Sequence, residues 1–370
     1  MTAETKICRD TRTAASGGAN GRSPVLAVWA ITPGGIKQGP KIVDAFEKAD
    51  FFISSKLASS FKVSDKEIIF TSLAKEVAEN FKKYQGHIFI FSTGIAVRLI
   101  APLLKSKLTD PAVVVLDDQG LHAVSLIAGH IGGANDLALK VAEVTGADPV
   151  ITTATDVNDL PAIDSIAKKM GLAIENPGMI KKINMAFLMN SKIDLYDPYS
   201  LVAPLLPEHL RNLTESSCKR PMDLFCSDFT KNVPRETLIL RPVFLFVGIG
   251  CNRGTSSEEI YEFLSFVFKS SSLSLQSIKK IATTHVKADE EGLLICAEKM
   301  GIEIDYFTKQ ELNSVETIET PSKIVEKHMG VKSVCEAAAI LASNRGKLVI
   351  PKMKKGNVTV AAARKEPDSL

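Results

Sequence analysis

No stretch of this 370-residue chain stays apolar over the ~18 residues that a membrane-spanning helix requires. Cysteine is scarce: Cys8, Cys218, Cys226, Cys251, Cys296 and Cys335 are the whole set, and no two share C-x-x-C spacing. That spacing argues against a zinc site or a thioredoxin-like motif and leaves reduced thiols in a cytosolic protein as the simplest reading. An excess of one charge is also missing. Lys+Arg total 45 against 42 Asp+Glu, a formal net charge of +3, which makes no overall case for nucleic acid or an acidic membrane surface. Residues 1–24 are rich in Thr, Ser, Gly and Ala and hold no apolar core, so they read as a disordered tail rather than a secretion signal. No repeat of solenoid period is visible.

Apolar residues are plentiful. They make up 45% of the chain, enough for sizeable cores, and the length exceeds what one core ordinarily serves. Apolar strand-like runs at 25–30, 51–53, 88–92, 112–116, 121–128 and 149–153 alternate with helical periodicity at 36–48, 73–83, 95–105 and 136–145. Such alternation predicts an α/β domain with a largely parallel sheet. Asp117-Asp118-Gln119-Gly120 separates two of the strands as a hairpin turn. From 177 to 242 the pattern weakens. A helix over 179–190 is followed by a passage broken by Pro198, Pro204, Pro207, Pro221 and Pro234. It then restarts, with strands at 243–247, 280–284, 302–307, 347–350 and 357–362 and helices at 288–300 and 334–343. Ser256 and Glu259, and Ser333 and Glu336, have capping-box spacing. The expectation is a Rossmann-like N-terminal α/β region (25–174), a less regular middle segment and linker (175–242) and a separate C-terminal α/β domain (243–364).

Five passages could carry chemistry. In Gly129-His130-Ile131-Gly132-Gly133-Ala134-Asn135, three glycines open a helix beside an imidazole. Bare amides there attract an anion or a polarised oxygen, and the histidine can move a proton near neutral pH. The plainer alternative is a connector with Asn135 as N-cap and His130 satisfied by backbone. The loop lacks G-x-G-x-x-G spacing, so it supports a dinucleotide site only weakly. In Ser92-Thr93-Gly94-Ile95-Ala96-Val97-Arg98, Arg98 reads as lying in the first turn of a helix. There it opposes the dipole unless a carboxylate joins it, either a substrate's or that of a neighbouring Asp or Glu. Thr153 and Asp156 end a strand in Ile151-Thr152-Thr153-Ala154-Thr155-Asp156. Asp156 is either an N-cap or the carboxylate that orients His130.

The remaining two lie in the second half. Gly248 to Gly254 forms a second glycine loop, with Gly250 and Arg253 as anion contacts; Cys251 has no evident histidine partner and is disfavoured as a nucleophile. In Lys287-Ala288-Asp289-Glu290-Glu291-Gly292, the acids suit a helix start and Lys287 is a candidate anchor or general acid. His285, beside it, belongs to either core or site. Lys352, Lys354 and Lys355 read as a solvated turn or edge protection.

Taken in order, these passages resemble the CbiG family of anaerobic cobalamin biosynthesis, the cobalt-precorrin-5A hydrolases. The resemblance is carried by GIAVRLIAPLLKSK (94–107), DPAVVVLDDQG (110–120), GHIGGANDLA (129–138), PVITTATDVND (149–159), VGIGCNRGTSSEEI (247–260), VKADEEGL (286–293), SVCEAAA (333–339) and NVTVA (357–361). It implies a cobalt-bound tetrapyrrole substrate bearing many carboxylates and a δ-lactone between a ring A acetate and the extruded meso carbon. Hydrolysis of that lactone, with loss of acetaldehyde, gives cobalt-precorrin-5B. On that chemistry His130 would be the base, Asp156 its orienting partner, and Lys287 a further catalytic group. Amides of Gly132, Gly133 or Ala134 would stabilise the oxyanion. Gly94, Arg98, Gly129, Asn135, Thr153, Gly250 and Arg253 would line the substrate, in a cleft between lobes.

The resemblance implies no cofactor and no protein metal site, since cobalt arrives with the substrate. It implies a cytoplasmic enzyme and no nucleic-acid or membrane partner, and it leaves a homodimer and transient contacts with neighbouring pathway enzymes open. Two alternatives stand beside it: a non-catalytic corrinoid carrier or scaffold, and a Rossmann-like NAD(P)-dependent oxidoreductase.

Overall fold

The structure is a computed structural model that describes residues 26–61, 67–214, 222–230, 233–315, 318–320 and 333–366. The expected tail at 1–24, Cys8, Cys218 and Pro221 lie outside the described residues. The chain divides between Ser165 and Ile166 into two compact units.

The first unit is built on β1 (Leu26–Ala30), β2 (Ala49–Ser54), β3 (Ile68–Phe70), β4 (Gly86–Ile90), β5 (Ala112–Leu116), β6 (His122–Ile127) and β7 (Asp148–Val150). They form one seven-stranded sheet in the order β3-β2-β1-β4-β5-β6-β7. Between them run α1 (Pro33–Ala45), α2 (Ser55–Ala58), α3 (Leu73–Asn80), α4 (Thr93–Ile100), α5 (Ala134–Thr145) and α6 (Ala154–Val157). Strands β1, β4 and β5 are buried along their whole length and apolar apart from Gly86 and His87, as a parallel sheet covered on both faces demands. One face packs Val28, Ile88 and Val114 under Ile42 of α1 and Val141 of α5. The other packs Trp29, Phe52 and Phe89 under Val77 of α3 and Ala96 of α4.

The expected hairpin is present, and it has a topological consequence. Strands β1 to β5 run parallel, whereas β6 pairs antiparallel to β5, with Leu116 opposite Ala123 and Val113 opposite Ile127. β7 then pairs parallel to β6. The carboxyl ends of β6 and β7 therefore lie at the opposite end of the sheet from those of β1 to β5.

The second unit holds two sheets. β8 (Leu172–Ile174), β9 (Ile193–Tyr196), β10 (Arg211–Leu213), β11 (Leu224–Cys226) and β12 (Leu238–Pro242) form a five-stranded sheet in the order β10-β9-β11-β12-β8. The middle segment thus has a sheet of its own where the sequence reads as irregular. Four of its strands are only three or four residues long, too short to display a period of two. β13 (Leu245–Cys251), β14 (Ile278–Thr284), β15 (Glu303–Phe307), β16 (Lys347–Lys355) and β17 (Val358–Arg364) form the other, in the order β15-β14-β13-β17-β16. The helices are α7 (Ile163–Lys169), whose first turn belongs to the first unit, then α8 (Ile180–Leu188), α9 (Ser257–Ser270), α10 (Glu291–Met300), α11 (Lys309–Asn313) and α12 (Val334–Ala342).

Several local expectations change here. Gly248 and Gly250 lie within β13 rather than in a loop. A Cβ on Gly248 would sit 1.7 Å from the carbonyl oxygen of Cys335, so this glycine is there to let α12 approach the sheet. Lys352, Lys354 and Lys355 lie in the edge strand β16, not in a turn. Ser256 caps α9 by accepting from Glu259 N–H, but the Glu259 carboxylate turns to Asn357 N–H instead of closing a capping box. Ser333 makes no side-chain cap, and Glu336 binds the N–H groups of Thr320 and Lys352.

Candidate functional site

The loop after β6 is shaped by its own backbone. Ala128 takes a φ of 59° and Gly133 a φ of 89°, both in the left-handed region. A Cβ on Gly132 would fall 2.3 Å from that of Ala128. The turn closes on itself: Gly133 N–H donates to the His130 carbonyl at 3.0 Å, Ala134 N–H to Ala128 at 3.1 Å and Asn135 N–H to Gly129 at 3.1 Å. Gly133 and Ala134 are therefore not free to stabilise an oxyanion, and of the three amides expected in that role only Gly132 is left. Asn135 is not the N-cap, a position held by Gly133. It is buried, accepts from Ser125 Oγ at 2.7 Å and donates to Thr153 Oγ1 at 3.0 Å.

This loop presents His130 to the segment after β7. His130 Nε2 lies 2.7 Å from Asp156 Oδ2, the meeting that the sequence reading requires. Thr153 donates to the same carboxylate oxygen at 2.6 Å, and Thr155 Oγ1 lies 3.1 Å from Nε2. The other ring nitrogen is also engaged: Nδ1 lies 3.4 Å from Asp164 Oδ2, in the first turn of α7. Side-chain exposure falls from 38% at Asp156 to 17% at His130 and 6% at Asp164.

An imidazole between two carboxylates holds its proton. The interaction with Asp164, opposed by burial and reinforced by Asp156, pushes His130 up to about 9. Burial would raise Asp156, but the hydrogen bonds from Thr153 and His130 outweigh it and hold the carboxyl below its ordinary value. At neutral pH the site is thus an imidazolium flanked by carboxylates. Neither ring nitrogen is open to take a proton from water, which counts against His130 as the first base. Sequence reasoning missed Asp164, whereas Thr155 stood in the threonine-rich passage that it singled out, without an assigned contact. Asp164 sits where any helix favours an acid, so its spacing carried no signal.

Within the first unit, Gly94 and Arg98 do not join this cluster. Both follow β4, at the opposite end of the sheet from His130. Arg98 falls in the last turn of α4, not the first, where a cation suits the dipole. A Cβ on Gly94 would meet nothing within 4 Å. Near that same end, the Thr32 hydroxyl at the head of α1 donates to the Asp118 carboxylate from the hairpin turn. A Cβ on Gly34 would come within 2.2 Å of the Asp118 carbonyl oxygen. The helix start that would receive a dinucleotide phosphate is thus taken by a carboxylate.

In the second unit, Lys287 closes a single 3-10 turn and pairs with the buried Glu290 at 2.9 Å. Glu290 also accepts from Gly254 N–H at 2.6 Å, pinning the loop after β13. Arg253 pairs with Asp289 at 2.7 Å on the surface. His285 is exposed and stacks on Tyr306. Burial pushes the Cys251 thiol up, against a nucleophilic role. Among the described residues, no group of three or more His, Cys, Asp or Glu side chains is arranged to hold a metal ion.

Three successive stretches of the chain match three regions of one kind of biosynthetic protein. Residues 75–156 match the family model Cobalamin synthesis G N-terminal, 161–242 match Cobalamin biosynthesis central region and 245–363 match Cobalamin synthesis G C-terminus. A cobalt-precorrin-5A hydrolase from Priestia megaterium is 34% identical over 91% of this chain and 94% of its own. Its counterpart from Salmonella typhimurium is 32% identical over 90% and 96%. A solved structure of a cobalamin biosynthesis protein G homolog from Sulfolobus solfataricus covers 93% of this chain and 97% of its own, at 22% identity and a TM-score of 0.36. The chain belongs to the cobalt-precorrin-5A hydrolase family.

Proposed function

We infer that the chain is a hydrolase of anaerobic cobalamin biosynthesis acting on cobalt-precorrin-5A. The observation that carries this reading is the 34% identity to a cobalt-precorrin-5A hydrolase across nine-tenths of both chains. The reaction is hydrolysis of the δ-lactone. Water adds to the lactone carbonyl and the ring oxygen leaves as an alcohol. That alcohol then gives up its proton as the adjacent carbon–carbon bond breaks. Acetaldehyde departs, and the electron pair passes into the conjugated macrocycle to give cobalt-precorrin-5B.

The chemistry needs a base for water, an acid for the departing ring oxygen, and a base again for the alcohol. The His130–Asp156 pair carries all three. Asp156, the most exposed member of the cluster, takes the proton of water, and His130 supplies one to the ring oxygen. Once neutral, His130 takes up the proton of the alcohol. A positioned acid or base of this kind contributes roughly 10²–10⁴-fold. The Gly132 amide is the remaining backbone donor for the oxyanion.

The reading needs no cofactor of the protein's own, since cobalt comes with the substrate. Neighbouring pathway enzymes are its transient partners. Its location is the cytoplasm, in keeping with free thiols at Cys226, Cys251, Cys296 and Cys335.

The test is anaerobic incubation with cobalt-precorrin-5A, reading product mass and acetaldehyde together. Mass consistent with water gained and acetaldehyde lost supports the reading. Tight binding of the tetrapyrrole with no acetaldehyde would make the protein a carrier.

A further inference from the structure

We propose that Asp164 is the positioning residue of this site. It anchors His130 through Nδ1, turns Nε2 to Asp156, and so leaves Asp156, the more exposed of the pair, as the one that takes the proton of water. The proposal rests on the hydrolase reading above and reverses the roles that the sequence suggests, in which Asp156 is the orienter.

Three observations carry it. The first is order in space: Asp156, His130 and Asp164 form a line in which exposure falls from 38% to 17% to 6%. A side chain as enclosed as Asp164 does not reach a bulky macrocycle, whereas Asp156 is open to one. The second is connectivity. Asp164 contacts Nδ1 at 3.4 Å and Asp156 contacts Nε2 at 2.7 Å. A buried carboxylate on Nδ1 is the arrangement that fixes an imidazole's orientation and tautomer in acyl-transfer triads. In such a triad the group at Nε2 is the one that reacts. The third is support from behind: Ser125, Asn135 and Thr153 form a chain of hydrogen bonds ending on Asp156 Oδ2. That chain holds the carboxylate through Oδ2 and leaves the side chain 38% exposed.

The groups facing the ring are Asp156 and Thr155 from α6 and Asp164 from α7. Among the described residues, the charged groups in contact with the ring are the two aspartates. Removing Asp164's charge therefore acts on His130 directly. Asp164→Asn keeps volume and an acceptor oxygen but deletes that charge.

Three readouts are expected of the folded variant. The His130 titration, followed by imidazole NMR on the protein alone, drops from about 9 by at least about one unit. The falling alkaline limb of kcat on cobalt-precorrin-5A moves to lower pH by a similar interval. At neutral pH, kcat falls roughly 10²-fold while KM stays put. A purely structural aspartate would lower Tm and leave kcat of the folded variant near the wild-type value, and either that result or an unshifted His130 titration in folded Asp164→Asn overturns the proposal.

Should that variant not fold, the wild-type ring decides. An Nδ1 proton present at neutral pH and slower to exchange than the Nε2 proton supports the anchor, and an unprotonated or faster-exchanging Nδ1 refutes it. Neither NMR result depends on substrate. Failure of the hydrolase reading would instead appear as a shifted titration in a protein that never releases acetaldehyde.

Discussion

His130 and Asp156 pull the stability of the first unit in opposite directions as pH changes. His130 is raised in the folded state to about 9, so its contribution is complete below its ordinary value near 6.5. It is lost as pH climbs through 9. Asp156 is lowered, so its contribution is present above its ordinary value and lost as pH falls. His130→Gln should flatten the loss of Tm between pH 7 and 10, and an unchanged alkaline slope would count against the charged imidazole. Asp156→Asn should keep the fold and reduce kcat by ~10²-fold or more, measured as acetaldehyde release; near-wild-type turnover would remove it as the base. A histidine in a helix-opening turn and an acid at a strand end are both marked positions, so the two residues were legible as candidates, but their pairing stood only as the alternative to Asp156 as an N-cap. Their division of labour was not legible. It depends on Asp164, and an acid in a helix's first turn already has an explanation in the helix dipole.

At the scale of elements, the hairpin at Asp117–Gly120 decides which loops can cooperate. The sequence declares the hairpin openly, and its consequence follows from strand direction alone: everything after β6 and β7 faces away from everything after β1 and β4. Treating Gly94, Arg98 and His130 as one site overlooks that reversal. The glycines divide in the same way. Gly248 meets the Cys335 backbone, whereas a Cβ on Gly94 meets open space. Gly248→Ala should destabilise the second unit by about 1–3 kcal/mol or more, since backbone must move. Gly94→Ala, inside α4, should be neutral or stabilise by about 0.5–1 kcal/mol. Paired denaturant melts check both, and equal effects would show that local packing does not set these positions. The middle sheet was the least legible part, because its strands are brief and its prolines read as linker punctuation.

Across the whole molecule, the two compact units carry different internal supports, and only one contains a tryptophan. In the second unit, Arg364 of β17 binds the fully buried Asp228 at 2.6 Å and lies over Tyr199 and Phe244. This ties the C-terminal sheet to the segments around the middle one. In the first unit, Trp29 is buried in the sheet, stacked on Phe52 with ring centroids 4.0 Å apart. Its indole N–H donates to His87 Nδ1 at 3.2 Å, and His87 Nε2–H donates to the Phe81 carbonyl at 3.0 Å. Both partners are satisfied by neutral imidazole alone, and burial pushes His87 down to about 4. A histidine lowered in this way contributes stability above its ordinary value near 6.5, and that contribution drains as pH falls toward 4. Trp29 fluorescence should therefore report a denaturation midpoint for the first unit that declines steadily from pH 6.5 to 4. His87→Gln keeps a donor and an acceptor but takes up no proton in that range. It should lower the midpoint at neutral pH, through imperfect geometry, and remove most of the acid decline. A His87→Gln protein whose Trp29-reported midpoint falls with acid as steeply as wild type would place the acid sensitivity of this unit between pH 6.5 and 4 in a group other than His87.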